Sequence, residues 1–162
     1  MSPKTVIQMT FATSERTVGS YLGDLTDADL LVVPIPGMHP IALQLGHLIS
    51  VENWLGDTLS PGSMPALPDG FKENHNVKSP PADSSGYLTK AEYQSIWDAQ
   101  RTAIKGFLES IAESELEDTH DGKLPPFAPT VAAVLNAVGL HPLMHAGQFV
   151  AVRRSLNKPI AF

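Results

Sequence analysis

Apolar residues recur along this chain at the 3.6-residue spacing of an amphipathic helix in four separate stretches, with prolines and glycines gathered between them. In the first stretch, from about Pro3 to Asp24, Ile7, Phe11, Val18, Leu22 and Leu25 share one stripe, and Ser14 fills the step between Phe11 and Val18. Thr26-Asp27-Ala28-Asp29 reads as a cap on a short turn, and Pro34 and Pro36 forbid a helix just beyond it. A second helix is predicted from Pro40, a favoured first-turn residue, to about Leu59, with Ile41, Leu45, Leu48, Leu55 and Leu59 inward and Glu52 on the same stripe.

Residues 60–88 contain five prolines and no clear period, so they are expected to form one long connection, a kind of segment that is often functional. The third helix has a sharp start signal: Thr89-Lys90-Ala91-Glu92 matches a capping box, in which threonine and glutamate satisfy each other's free amides. Tyr93, Ile96, Trp97, Ile104, Phe107, Leu108 and Ile111 give its buried face. A second connection runs from Glu115 to Pro129, and a last helix from about Thr130 to Leu156, ended by Asn157-Lys158-Pro159. Pro142 lies inside that helix; it takes away the bond to the Val138 carbonyl, so a kink or bulge is expected near Gly139 to Pro142. With no strand-like alternation and no internal repeat, the simplest architecture is an all-α four-helix bundle.

Composition narrows the chemistry. The chain has 162 residues, enough for one domain over 1–162, and no cysteine, which excludes disulfides, thiolate metal sites and a cysteine nucleophile. A metal would have to be held by nitrogen or oxygen. A net charge of −6 argues against a nucleic-acid or anionic-membrane partner. The N-terminus has no apolar core of a signal peptide, and no apolar run approaches the roughly 20 residues of a membrane span, so a cytoplasmic protein is expected.

Six histidines then become the candidate chemistry. His141 and His145 stand four apart in an apolar part of the last helix, so their rings leave one face and can point at one ion. Gln148 continues their stripe and His47 lies midway along the second helix, on the shoulder of its apolar face. Three imidazoles from two packed helices would bind a divalent metal and keep a coordination position open. By spacing alone, core or boundary histidines bonded to backbone or water are the commoner outcome and a metal group the rarer one. His39 suits a cap position, and His75 and His120 read as solvated surface histidines in the two connections. Glu52 is either a base or orienting partner for a ligand histidine, or a structural ion pair with a basic residue such as Arg16 or Arg153. Trp54 and Trp97 read as core or boundary aromatics, and Arg153-Arg154 suits the negative end of the last helix.

The segment Leu45-Gly46-His47-Leu48-Ile49-Ser50-Val51-Glu52-Asn53-Trp54 resembles the second-helix segment of DinB-like (DNA-damage-inducible-type) proteins, a helical, metal-binding superfamily. His141-Pro142-Leu143-Met144-His145-Ala146-Gly147-Gln148, followed by Arg153 and Lys158-Pro159, resembles its last-helix segment of the form HxxxHxGQ, although Pro142 is not a general feature of that motif. The resemblance implies a four-helix bundle with one long crossover, usually a homodimer, and zinc, nickel or a similar ion on His47, His141 and His145. It further implies that this chain is either a metal-dependent thiol transferase, isomerase or related hydrolase using a low-molecular-weight thiol, or a non-catalytic, metal-stabilised dimeric binding or scaffold protein. Glu52 and Gln148 are then its candidates for contacts around the metal or substrate. Since the chain has no cysteine, any thiol must arrive as a cosubstrate.

Overall fold

The computed structural model describes residues 1–160, and the described residues contain helices and turns but no strand. Four long helices, α1 (Pro3–Leu22), α2 (Ile41–Leu59), α4 (Lys90–Ser110) and α5 (Val131–Ser155), are joined through one short helix, α3 (Phe71–Asn74), and 3-10 turns at Asp29–Leu31, Glu113–Glu117 and His120–Gly122. Their limits fall within two residues of the apolar periods. No described helix is long and apolar enough to cross a membrane.

Local chemistry accounts for the starts. The Ser2 side chain accepts from the Thr5 amide, Thr130 accepts from Ala133, and Thr89 and Glu92 form the reciprocal capping box that their spacing predicts. Pro40 stands just outside α2 as its cap residue rather than in its first turn. The helices pack α1 on α5, and α2 on both α4 and α5. One apolar cluster, around Leu22, Ile41, Tyr93 and Phe149, fills one end; a second, around Phe11, Leu55, Ile104 and Leu135, fills the other. A Cβ on Gly139 would come within 2.6 Å of the Thr10 side chain, so a glycine is needed where α5 crosses α1.

Pro142 does not break α5, which continues through it to Ser155. The carbonyl that its missing N–H would have bonded, that of Val138, instead accepts from Arg101 Nη2 on α4 at 3.2 Å. The same guanidinium faces Glu52 of α2 as a buried ion pair, Nε to Oε1 3.0 Å, and lies between the rings of Phe11 and Trp97. Trp97 Nε1 donates to the other Glu52 oxygen at 2.9 Å. The structural role considered for Glu52 is therefore the one observed, but its partner is neither Arg16 nor Arg153. Arg153 is occupied at the far end of α5, where it donates to the Tyr21 carbonyl, Asp24 and the Pro159 carbonyl and joins the ends of α1 and α5. Trp97 is a core residue, whereas Trp54 is half-exposed.

The connection over residues 60–88 is anchored. His75 is not a solvated surface residue: it is buried to 1% exposure, its Nδ1–H donates to the Phe71 carbonyl at 2.7 Å, and its Nε2 accepts from the Tyr93 hydroxyl at 2.6 Å. Its ring packs against Phe71, Tyr87 and Tyr93. It also lies flat on α2 at Gly46, where a Cβ would meet its Cδ2 at 1.9 Å. Asn53 and Gln100 both donate to the Pro65 carbonyl and hold the same connection further along.

Two outcomes are expected. Gly46→Ala should lower stability by about 1–3 kcal/mol, because the ring must leave its seat, and adding His75→Ala should recover part of that loss, measured as thermal midpoints of the two variants. Arg101→Met should cost about 3–5 kcal/mol in denaturant unfolding, since it strands both Glu52 and the Val138 carbonyl; Arg101→Met with Glu52→Leu should cost markedly less.

Candidate metal centre

α2 and α5 bring His47, His141 and His145 together: one ring nitrogen of each lies within 4.8 Å of those of the other two. The ring centroids are 5.1 Å apart for His47 and His141, 5.4 Å for His47 and His145, and 4.8 Å for His141 and His145. The Nε2 atoms of His141 and His145 are 3.1 Å apart. Two nitrogens bound to one tetrahedral ion at ~2.05 Å would stand about 3.3 Å apart, so these two need move little to share one. The remaining imidazole closes the group from the other helix.

The tautomer of His145 is set by a residue whose role the sequence did not disclose. Gln44, fully buried one turn before His47, donates its Nε2 to the His39 carbonyl at 2.9 Å. That orients its Oε1 as an acceptor, 2.9 Å from His145 Nδ1. Nδ1 therefore carries the proton, and the Nε2 lone pair is left facing the other histidines. The available signal was a single amide on the otherwise apolar inward face of α2, three residues before a histidine. His39 is not the cap of α2, a position that Pro40 takes; its carbonyl accepts from the Gln44 side chain instead.

The electrostatics favour neutral rings. Burial, followed by the charge of His39, holds His47 below the ordinary imidazole value. Burial and then His47 bring His141 down to about 4. Burial, followed by His141, His47 and His39, brings His145 down to about 3. All three thus present lone pairs, not N–H⁺ groups, at neutral pH, which is the protonation state a metal ligand needs. A set of three neutral imidazoles, with the tautomer of His145 fixed, fits a divalent first-row ion.

The other candidates lie elsewhere. Glu52 is turned into the core toward Trp97 and Arg101; burial pushes its carboxyl up to about 7 against the opposing pull of Arg101 and of the Trp97 N–H. Gln148 is exposed on α5, and Gln44, not Gln148, is the glutamine that bonds a histidine of the group. His75 stands in its own aromatic cage, and His120 is half-buried in the second connection with its amide on Asp118.

His47 and His141 form one wall of an open cleft of about 390 Å³ between α2 and α5. Phe127, from the connection before α5, closes part of it, and no residue of 60–88 lines it. Apart from the two histidines, its walls are apolar side chains, including Val51, Trp54, Leu140 and Met144. The arrangement offers a ligand a group of nitrogen donors at one edge and an apolar surface beside it.

Comparison with known proteins adds the family. No curated protein and no solved structure matches this chain. The model of the DinB superfamily matches residues 10–149, a span that takes in α2, α4, most of α5 and all three histidines. The chain belongs to the DinB superfamily.

Proposed function

We propose that this protein binds one divalent metal ion, zinc or nickel, on His47, His141 and His145, and uses it in a thiol S-transferase or isomerase reaction with a low-molecular-weight thiol. The observation that carries this reading is the convergence of three neutral imidazoles from α2 and α5, with His145 held in the ligating tautomer by Gln44. In the same reading the four long helices form a DinB-type bundle with residues 60–88 as its long crossover, within a single cytoplasmic domain over 1–162.

A divalent ion held there supplies Lewis acidity, which lowers the pKa of a bound thiol or water and makes a nucleophile available at neutral pH. The chain supplies the rest. Gln44 and the His39 carbonyl keep the His145 lone pair aimed at the site, and the walls of the cleft offer apolar surface to the reacting partner. Among the described residues no carboxylate, lysine or arginine lines the cleft, and Glu52 is engaged in the core, so among them only the imidazoles stand ready as a general base. Lacking cysteine, the chain cannot offer the sulfur itself.

A second reading, a non-catalytic metal-stabilised homodimer, draws on the exposed apolar side chains of Trp54, Phe127, Leu140 and Met144, which a second copy would cover.

Metal analysis of protein purified without chelator should give about one ion per chain. His145→Ala and His47→Ala should each lose it while keeping their helical circular dichroism, and Gln44→Leu should weaken binding by about 10–100-fold. Full retention in both histidine variants would contradict the assignment. Turnover of thiols with generic electrophiles should vanish with chelator; turnover that survives chelation contradicts the metal mechanism, and metal-dependent stability without any turnover favours the dimer.

Protons compete for the same lone pairs. In metal-free protein the histidine values in the folded state lie below the ordinary 6.5, so the unfolded chain binds more protons as pH falls. This contribution to stability is complete above pH 6.5 and is progressively lost as pH falls toward the folded values of about 4 and about 3. The thermal midpoint of chelator-treated protein should accordingly drop between pH 6.5 and 4, and drop less in His145→Ala.

A further inference from the structure

We infer that the ligand taken by this site is a molecule with a thiol or other lone-pair head and an uncharged, largely apolar tail, an aryl or branched alkyl group, and not one of the polar, carboxylate-bearing small thiols. This inference rests on the three-histidine reading for the head and on the cleft for the tail.

The cleft begins at the histidines and continues away from them. His47 and His141 are shared between the group of three and the cleft wall, so a head bound at the ring nitrogens puts its tail directly between α2 and α5. Its volume of about 390 Å³ lies in the range of small-molecule sites, roughly 300–1,000 Å³. Val51 on α2, Ala137 and Leu140 on α5 and Phe127 offer a tail only carbon.

Two aromatic rings, Trp54 and Phe127, lie tilted against one another at this surface with centroids 6.4 Å apart. They are 47% and 66% exposed, an arrangement that leaves aromatic surface in water until something apolar covers it. Among the described residues no lysine or arginine lines the cleft, so a carboxylate in the tail would lie against carbon with no cationic side chain to pair with. A small ligand is favoured over a second copy because the apolar surface is concave and runs into the nitrogen donors.

The test uses the full chain, treated with chelator and then loaded anaerobically with cobalt(II), which reports thiolate binding by a charge-transfer band. Three thiols that differ in tail are titrated: phenylmethanethiol, 2-mercaptoethanol and 3-mercaptopropionate. Phenylmethanethiol should bind at least about tenfold more tightly than either of the others, as expected for burial of a phenyl group. Met144→Glu, at a position 65% exposed and so tolerant of a charge, should erase most of that preference.

A second arm needs no metal. Benzyl alcohol added to chelator-treated, ¹⁵N-labelled protein should shift the Trp54 indole N–H and the amides of Val51, Ala137 and Leu140 ahead of all others. If cobalt is not taken up, the three-histidine reading fails, and the benzyl alcohol arm still decides the tail. Equal affinity for the three thiols, or shifts scattered away from the cleft, overturns the inference while the metal site stands. The inference is equally overturned if the same cleft resonances move on raising the protein concentration without ligand, since the face is then an interface between copies.

Discussion

Pro142 has no amide hydrogen, and much of the architecture follows from what replaces it. The Val138 carbonyl one turn earlier would be a buried acceptor without a donor, a situation worth about 1–3 kcal/mol against the fold. Arg101 relieves it from α4, and in the same position neutralises Glu52 of α2. One guanidinium therefore ties α2, α4 and α5 to each other within two turns of the histidines that α2 and α5 carry. A buried charge pair of this kind is costly to desolvate and seldom the most stabilising choice. What it provides here is register. An apolar contact tolerates sliding by a fraction of a turn, whereas a pair of charges with a carbonyl does not.

The histidine group depends on that register. His47 reaches His141 and His145 only if α2 and α5 are held at one rotation and height, and the Gln44–His145 bond is a second tie across the same pair of helices. On the opposite side of α2, His75 lies against Gly46 and is bonded at both ring nitrogens. The helix that carries His47 is thereby pressed from both sides. The two histidine environments also show how one side chain serves different ends: His75 has both nitrogens bonded to other residues and no lone pair to offer, while the three rings of the group converge on one another with a cleft beside them.

The helices were legible in the sequence because their signals are local. Apolar residues three and four apart, the Thr89–Glu92 capping box and the prolines between segments each act within one or two turns. The pairing of His141 with His145 was legible for the same reason; His47 was the third candidate by its place midway along the second helix, and the resemblance to DinB-like proteins gave it weight. What could not be read were pairings set by tertiary packing. Glu52 had several arginines to choose from, and only the crossing of α2 on α4 selects Arg101. His75 sits among polar neighbours in a proline-rich connection, so nothing local announces that Phe71 and Tyr93 bury it. Gln44 looks like a stray amide on an apolar face until α5 places His145 opposite. Phe127 reads as a loop aromatic until the cleft forms beside it.

The central claim is that three imidazoles of this chain bind one ion, and X-ray absorption at the metal edge tests it most directly. Protein loaded with one equivalent of zinc or nickel should show a first shell containing three nitrogens at about 2.0–2.1 Å, with the outer-shell multiple scattering of three imidazole rings. The outer-shell signal should fall to two rings in His145→Ala. A shell of oxygens alone, or an imidazole signal that the substitution leaves unchanged, would contradict the account.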